Sequence, residues 1–390
     1  MDVLLNCTTL VKGGALQAAV SFIGTSLKAA DHITWRYMVS RNMWNELQEA
    51  GYVPNAQYVS VIDESPAKSR SSRKRISRLV TEIGPDLVFT FFGPAYVEFK
   101  VPHLCGVADG WVTHGDRWAW RTVRNPMDAA KLMIAIVYKA MMFRKADAWV
   151  TESMTAKEGL MRRLRLPEAR VSVVPNSCAN HYLQSEAACE LVPRGNPLKI
   201  LCLSAYYRHK NLEIIPDVAK ALKEYIPNQH VQFILTLPDD SYGMKKIRAK
   251  ATALGVDNRI INMGPIPVSR GPELYHNSHI VFLPSVLETF SANYPEAMAM
   301  GIPIVTTDLG FAHEICGAAA SYFKPMDANA AARAISELCH NRELWRSLVG
   351  NGKRVLQTLP TQEKKYELYK SCIYQLSRQM SKRCEGRVSS

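Results

Sequence analysis

Residues 284–308 read PSVLETFSANYPEAMAMGIPIVTTD, and this stretch decides the fold. A short apolar run, residues 280–284, ends where the stretch begins, and a second run, residues 304–307, lies near its end. Between the runs, Glu-Ala-Met-Ala-Met predicts a helix that opens at Glu296 and stops at Gly301, before a proline. The stretch therefore predicts a strand, a helix and a second strand, which is the repeating unit of a parallel sheet.

The same alternation continues in both directions along the chain. Further apolar runs lie at residues 3–5, 86–91, 148–151, 171–174, 199–204, 232–237 and 259–262. Such runs, spaced by helical patterns, are typical of a parallel sheet that helices cover on both faces. A break with charged residues and two prolines interrupts the series at residues 184–197. We therefore predict an α/β fold with two doubly wound, Rossmann-like domains that face a cleft.

The expected domain bounds follow from that break. We expect residues 1–185 to form the first domain, residues 186–198 a linker, and residues 199–361 the second domain. A helix predicted at about residues 362–380 is expected to pack back on the first domain. A chain of 390 residues is long enough for two domains of ordinary size.

The composition narrows the class of protein. Hydrophobic residues make up 47% and charged residues 21% of the chain, as in globular proteins. The net charge of +13 indicates an anionic partner without choosing among nucleic acid, membrane and phosphorylated ligands. Nine cysteines form no C-x-x-C pair, which favours reduced thiols over a zinc or redox site. No signal peptide or run near the ~20 residues of a membrane span is visible, so we expect a cytoplasmic location.

Two carboxylates in the opening stretch are candidate ligand-binding groups. Glu288 falls just past a predicted strand, where parallel sheets bind their ligands. Glu296 falls in the first turn of the predicted helix, where a carboxylate also has the purely structural use of meeting the positive end of the helix dipole. Taken singly, each has an ordinary explanation, since Glu288 alone would be a loop carboxylate.

The combination is more specific than either acid alone. It consists of the two acids, the Ala-Met that opens the helix and the Gly-x-Pro that follows. This combination resembles the signature of retaining glycosyltransferase family 4 (glycosyltransferase group 1), which has the GT-B fold. The resemblance implies that Glu288 contacts hydroxyls of the donor sugar and that Glu296 binds the ribose of the nucleotide. It implies that the backbone of Thr289, Phe290 and Ser291 approaches the sugar and phosphates. The family has glycines on either side of the Phe, where this chain has Thr289 and Ser291.

A second stretch, SAYYRHKNLEIIP at residues 204–216, follows the first predicted strand of the second domain. An ordinary surface lysine is one explanation of Lys210, and a cation that binds a diphosphate is the other. The family places an Arg and, five residues later, a Lys in this loop; Lys210 matches the Lys, while Ala205 stands at the Arg position. We hypothesise that Arg208 supplies the missing charge.

The first half of the chain matches the family more weakly. Gly13 and Gly14 follow the first predicted strand and match a Gly-Gly that faces the donor phosphates, although an ordinary tight turn explains them equally. Asn176 belongs to a Val-Pro-Asn that closes the first domain in the family. A histidine that contacts the sugar in the family is missing, and Asp109 and His114 are nearby candidates for sugar or acceptor contacts.

The resemblance implies transfer of a hexose from a nucleotide-sugar to a hydroxyl of a glycan or lipid-diphosphate-linked acceptor, with retention, in bacterial surface polysaccharide (lipopolysaccharide) biosynthesis. Lys210, Arg208 and the Gly13-Gly14 turn would stabilise the leaving diphosphate as the catalytic cations and amides. No Asp-x-Asp motif stands in a predicted strand-end loop, so neither a metal nor another cofactor is expected.

Basic stretches suggest a further partner. Residues 68–78 hold six cations, and residues 127–145 alternate apolar and basic side chains. The first reads as a solvated helix face and the second as a packed helix. Together with the arginines at residues 162–165, they also suit peripheral binding to the anionic inner face of the plasma membrane.

Three other functions stay open from the sequence alone. A GT-B nucleotide-sugar epimerase would form product from the donor without an acceptor. A non-enzymatic nucleic-acid-binding protein would account for the charge, but no aromatic side chain interrupts residues 68–78 and no RNA-binding motif is present, so no nucleic acid is expected. An inactive transferase-like subunit would account for Ala205 and Ala108, which replace polar residues of the family.

Overall fold

The computed structural model describes residues 1–185 and 197–388, and side chains up to residue 381. The described chain divides into two compact units. Unit 1 comprises Met1–His114, Ala130–Asn176 and Pro360–Ser390, and unit 2 comprises Gly115–Ala129 and Ser177–Leu359. Most of the predicted linker at residues 186–198 lies outside the described residues.

The strands are short and mostly buried, as the apolar runs predict. In chain order they are β1 (Asp2–Cys7), β2 (Thr34–Ser40), β3 (Val59–Ile62), β4 (Leu87–Thr90), β5 (His103–Val107), β6 (Ala148–Thr151), β7 (Val171–Val173), β8 (Leu198–Cys202), β9 (Val231–Leu235), β10 (Ile260–Asn262), β11 (Ile280–Leu283), β12 (Ile304–Thr307) and β13 (Ala320–Phe323).

The helices alternate with these strands. In chain order they are α1 (Gly14–Lys28), α2 (Arg41–Glu49), α3 (Arg70–Ile83), α4 (Gly110–Thr113), α5 (Arg117–Arg121), α6 (Pro126–Phe143), α7 (Met154–Leu164), α8 (Asn180–Leu183), α9 (Ile215–Tyr225), α10 (Tyr242–Ala253), α11 (Gly271–His276), α12 (Asn293–Ala299), α13 (Gly310–Cys316), α14 (Ala328–His340), α15 (Arg342–Thr358) and α16 (Gln362–Val388). Within the described residues, no helix is both long and apolar enough to cross a lipid bilayer.

Each unit is built on one parallel sheet. Over the described residues, the order is β3-β2-β1-β4-β5-β6-β7 in unit 1 and β10-β9-β8-β11-β12-β13 in unit 2. Leu5 of β1, for example, lies opposite Tyr37 of β2 and Phe89 of β4, and all three side chains are buried. The prediction of an α/β fold with two doubly wound parallel sheets is therefore confirmed.

The strand order fixes where ligands are expected. In each sheet the order reverses between two central neighbours, β1 and β4 in unit 1 and β8 and β11 in unit 2. At such a reversal the loops after the two strands leave toward opposite faces of the sheet and open a crevice at its carboxyl edge. The loops that follow β8 and β11 hold the residues singled out above at 204–216 and 284–308.

The last helix, α16, completes the core of unit 1. Its residues Tyr366 and Tyr369 are buried. The indole Nε1 of Trp35 donates to the hydroxyl of Tyr366 across 2.8 Å. The ring of Phe22 on α1 lies 5.2 Å from that of Tyr366 and 5.5 Å from that of Tyr369. Aromatic burial on this scale makes α16 a part of the first unit's core.

Details differ from the sequence-based prediction. The strands β2, β3, β5 and β13 were not predicted. Helix α12 begins at Asn293, so Glu296 lies in its first turn but does not open it. The longer segment of unit 2 begins at Ser177, whereas the break in the sequence placed a boundary after residue 185. The physical reason is that α8 packs through buried Tyr182 into the core of unit 2.

Candidate functional site

Two loops of unit 2 meet at the reversal of its strand order. The loop after β8 carries Lys210 in a short 3-10 turn, and the loop after β11 carries Glu288. The backbone N–H of Val286 donates to the carbonyl oxygen of His209 across 2.8 Å and joins the two loops. Because β8 and β11 are neighbours in the sheet, residues far apart in sequence are held side by side.

Lys210 and Glu288 form an ion pair at this place. The Nζ of Lys210 lies 2.5 Å from Oε1 of Glu288, and the side chains are only 17% and 9% exposed. Taking two charges out of water is costly, and removing one partner of such a pair leaves the other uncompensated. The structure therefore brings together the cation and the carboxylate that the sequence singled out separately.

The loop that carries Glu288 is packed. Thr289 is 7%, Phe290 9% and Ser291 5% exposed, and Phe290 joins the apolar core of unit 2. The side-chain amide of Asn293 donates to the carbonyl oxygen of Leu203 across 2.6 Å and ties the start of α12 to the end of β8. The backbone of residues 289–291 is thus held in place beside the ion pair.

Glu296 has a different environment. Part of the residue reaches the surface, but its carboxylate lies among buried groups. The hydroxyl of Tyr275 donates to its Oε2 across 2.8 Å, and the hydroxyl of Tyr182 is a second hydrogen-bond partner. Burial raises the pKa of Glu296 to about 7, and the two hydroxyl hydrogen bonds oppose that rise. The carboxylate therefore changes its charge near neutral pH.

The two tyrosines are fixed by their own packing. Tyr275 on α11 is fully buried and Tyr182 on α8 is 3% exposed. Their ring centroids lie 5.4 Å apart with an interplanar angle of 85°, the edge-to-face arrangement that aromatic rings favour. Gly271 makes room for Tyr182, because a Cβ at that position would lie 2.1 Å from the tyrosine hydroxyl.

Arg208 is not part of the Lys210–Glu288 pair. Its Nη2 lies 2.6 Å from Oδ2 of Asp128, and the two side chains are 42% and 36% exposed. The hydrogen bond that the Arg208 guanidinium donates to Asp128 raises the pKa of Arg208 above its ordinary value. To serve a ligand as hypothesised, Arg208 has to exchange this carboxylate for a phosphate.

In unit 1, the predicted glycines lie at the corresponding reversal. Gly13 follows β1 with a φ of 79°, which a residue with a side chain rarely adopts, and α1 begins at Gly14. A Cβ on Gly14 would meet nothing within 4 Å, so this residue faces open space. The start of α1 is therefore accessible to a ligand at the edge where β1 and β4 end.

Asp109 and His114 lie at the two ends of the short helix α4. Asp109 caps that helix by accepting from the N–H of Val112 and forms an ion pair with Lys139 at 2.7 Å. The Nδ1 of His114 lies 2.8 Å from the hydroxyl oxygen of Thr113. Both predicted contacts to sugar or acceptor thus have partners within unit 1.

Asn176 has a partner that the sequence did not reveal. Its Oδ1 accepts from the Nζ of Lys365 on α16 at 2.5 Å, and the two residues are 9% and 2% exposed. Burial lowers the pKa of Lys365 to about 8, and the charge of Glu152 opposes that change. A single lysine on an amphipathic helix reads as a solvated one, so no sequence signal marked Lys365.

Sequence reasoning also missed the roles of the tyrosines. Neither Tyr275 nor Tyr182 belongs to the motifs described in the sequence analysis. Among residues with described side chains, no three His, Cys, Asp or Glu lie close enough together to hold a metal ion.

The chain is similar to known proteins at two levels. Residues 186–355 match the family model of glycosyl transferases group 1. No curated protein sequence matches the chain. HepE of Anabaena in complex with UDP-glucose is similar in structure, with a TM-score of 0.70, 16% identity and coverage of 97% of this chain and 100% of that one.

Two further solved structures are similar over their whole length. Sucrose-phosphate synthase from Thermosynechococcus elongatus gives a TM-score of 0.72 at 17% identity, over 96% of this chain and 99% of that one. WaaG, a glycosyltransferase involved in lipopolysaccharide biosynthesis, gives a TM-score of 0.67 at 14% identity, over 95% of this chain and 98% of that one. The chain thus has the GT-B fold, and its region with Lys210, Glu288 and Glu296 is similar to glycosyl transferases group 1.

Proposed function

We propose that the protein is a retaining glycosyltransferase, which moves a hexose from a nucleotide-sugar donor to a hydroxyl of a glycan or lipid-linked acceptor. One observation carries the proposal. Lys210 and Glu288, from two loops that meet at the reversal of the strand order, form a nearly buried ion pair inside the segment that matches the group 1 model. A diphosphate needs a cation there, and a sugar needs an acceptor for its hydroxyls.

Lys210 acts on the leaving group. When the bond between the sugar and the phosphate breaks, negative charge develops on the diphosphate, and a fixed ammonium group stabilises it. Glu288 holds Lys210 in this place before the donor arrives. In the proposed complex the ammonium group lies between the carboxylate and the phosphate, and no metal or cofactor takes part.

Glu288 positions the sugar and supports the positive charge that grows on its ring. A double displacement of the glycosidase type requires a carboxylate free to attack the anomeric carbon. Glu288 is instead engaged by Lys210, which favours a role in positioning and electrostatics. Following the family resemblance, the acceptor oxygen attacks on the face that the diphosphate leaves, and the acceptor proton passes to a phosphate oxygen.

Glu296 binds the ribose of the nucleotide. Its carboxylate belongs to the first turn of α12, which follows the packed loop. The hydroxyls of Tyr275 and Tyr182 hold this carboxylate in place. An ionised carboxylate accepts hydrogen bonds from two neighbouring hydroxyls, which is the pattern that a ribose offers. The tyrosines are positioning residues in this proposal, because they act on the ligand through Glu296.

Structures similar to this chain suggest the substrates to try first. HepE was solved with UDP-glucose, and WaaG is involved in lipopolysaccharide biosynthesis. We therefore propose a UDP-sugar as the first donor to test and bacterial surface polysaccharide biosynthesis as the setting. The donor would be used on the cytoplasmic side of the membrane.

The test combines a donor screen with one substitution. UDP-, GDP- and dTDP-sugars are screened for thermal stabilisation, since a ligand that binds the folded state raises its apparent stability. Glu288→Gln is then assayed for turnover with the stabilising donor, and a loss of about 100-fold or more is expected. Glu273→Gln is the matched control, because Glu273 is an exposed carboxylate of the same unit that forms an ion pair with Arg270.

Each alternative gives a different result. Near wild-type turnover of Glu288→Gln would remove this residue from catalysis. Product formed from donor alone would favour the epimerase. RNA binding with a steep salt dependence and no nucleotide-sugar binding would favour the nucleic-acid-binding protein. Donor binding without turnover on any acceptor would favour the inactive subunit.

A further inference from the structure

Helix α6 leaves most of its apolar surface uncovered. In its 18 residues, the buried side chains are those of Ile136, Ala140 and Phe143. The large apolar side chains on the other side are exposed: Met133 by 50%, Ile134 by 70%, Val137 by 52%, Tyr138 by 36% and Met141 by 54%. We call these five residues the α6 face.

The α6 face is one continuous stripe. With 3.6 residues per turn, residues 134, 137, 138 and 141 fall on one side of the helix, and the buried residues 136, 140 and 143 fall on the other. The sequence predicted a packed helix, and the structure shows that only one narrow side of it is packed. A contiguous apolar patch on a folded chain marks a place where something else binds.

A basic helix contacts the α6 face through one of its arginines. The Nη1 of Arg73 on α3 donates to the hydroxyl of Tyr138 across 3.2 Å. Helix α3 carries five cations against one carboxylate, Glu82, which is paired with Arg78. The four other cations of α3 besides Arg73 are exposed, namely Arg70, Lys74, Arg75 and Arg78.

A second group of cations lies at the carboxyl end of α6. The Nε of Arg144 donates to the carbonyl oxygen of Leu164, the last residue of α7. Arg162, Arg163 and Arg165 surround that residue and are exposed. Contacts at Tyr138 and at Arg144 therefore place the two basic stretches beside α6, and we treat the α6 face and these flanking cations as one surface of unit 1.

We propose that this surface binds an anionic lipid membrane, with the α6 face inserted at the boundary between headgroups and acyl chains. Apolar side chains flanked by Lys and Arg are what such a boundary accepts, because the apolar part leaves water while the cations reach lipid phosphates. Charge decides against a second copy of the chain, since a twofold contact through the α6 face would bring two positively charged surfaces together. The inference is independent of the proposed transfer reaction.

The experiment is flotation of the full chain with vesicles. Phosphatidylglycerol–phosphatidylcholine vesicles are compared with pure phosphatidylcholine vesicles at low and high salt. Wild type should float with the anionic vesicles at low salt and be released by salt. The double variant Ile134→Gln/Val137→Gln should bind the anionic vesicles at least about tenfold more weakly than wild type, because transfer of the two side chains out of water is no longer favourable.

Matched controls separate a loss of membrane binding from unfolding of the variant. Val53→Gln/Val268→Gln changes two exposed valines, 54% and 46% exposed, that lie outside the α6 face and should bind vesicles like wild type. Both double variants should remain folded in thermal unfolding without ligand, a measurement that does not depend on the donor site.

Three outcomes overturn the proposal. One is wild-type protein that does not float with anionic vesicles at low salt. Another is equal vesicle binding by wild type and Ile134→Gln/Val137→Gln. The third is a wild-type dimer that this variant makes monomeric without a change in vesicle binding, which would assign the α6 face to a second copy.

Discussion

Replacing Tyr275 by phenylalanine tests whether a tyrosine hydroxyl sets the charge of the proposed ribose ligand. The hydroxyl donates to Oε2 of Glu296 across 2.8 Å, and phenylalanine keeps the buried ring while it removes that donor. A hydrogen bond to a charged group contributes about 1.5–3 kcal/mol, and one pKa unit corresponds to about 1.4 kcal/mol. Tyr275→Phe should therefore raise the pKa of Glu296 from about 7 to about 8–9.

The change in pKa predicts a change in donor affinity that depends on pH. At pH 7 about half of Glu296 is ionised in the wild type, but only about a tenth to a hundredth in the variant. If the ionised carboxylate binds the ribose, affinity at this pH should fall by about 5- to 50-fold. At about pH 9 the difference should shrink to about twofold or less, because most or half of the variant is then ionised.

Isothermal titration with UDP-glucose between about pH 6 and about pH 9 measures this effect. Wild type and variant are compared at each pH, so ionisation of the ligand itself, including that of the uracil N3–H near the top of this range, cancels and the difference in affinity reports the protein. Tyr225→Phe is the control, since Tyr225 is 36% exposed and belongs to α9. A variant whose affinity falls equally at every pH, or not at all, would refute the reasoning, because either result means that the hydroxyl does not act through the charge of Glu296.

Three further predictions concern the same unit. Arg208→Ala should weaken donor binding by about tenfold or more if the guanidinium leaves Asp128 for a phosphate, and unchanged titration and turnover would remove Arg208 from the site. Gly271→Ala should displace the hydroxyl of Tyr182, cost about 1–3 kcal/mol in urea unfolding and move the donor affinity profile to higher pH; an unchanged profile would mean that Tyr182 is dispensable. Because the pKa of Glu296 is raised on folding, its contribution favours the folded state below about pH 4.5 and is lost as the pH rises to about 7. Glu296→Gln should therefore stabilise the ligand-free protein at pH 8 by up to about 3 kcal/mol, measured by thermal unfolding. No gain in stability over wild type would contradict the raised pKa.

The fold was readable from the sequence wherever strands are continuous apolar runs. The strands β6 and β12 have the predicted bounds, residues 148–151 and 304–307. Strand β5 was missed because its sequence, HLCGV, contains no such run. Its Gly106 is required by a contact with a neighbouring backbone, since a Cβ there would lie 1.7 Å from the carbonyl oxygen of Phe91. Close approach between two backbone segments of the same chain leaves no trace in hydrophobic periodicity.

The site was readable in part for a related reason. Lys210 and Glu288 each follow a predicted strand, so sequence placed both at the carboxyl edge of one sheet. That they touch depends on β8 lying beside β11, and strand order is not written in either strand. The surroundings of Glu296 could not be predicted for the same reason, since Tyr182 precedes residues 186–198 in the sequence and Glu296 follows them. Residue types were predicted, and contacts between distant segments were not.

The contribution of α16 to unit 1 has a consequence for synthesis on the ribosome. Phe22, Trp35 and their neighbours emerge early, but the aromatic side chains that cover them, Tyr366 and Tyr369, emerge more than three hundred residues later. The aromatic core of unit 1 therefore stays uncovered until translation has passed α16, whereas the segment Ser177–Leu359 has been synthesised by then. A premature stop in the last tenth of the message would thus damage the core at the opposite end of the polypeptide.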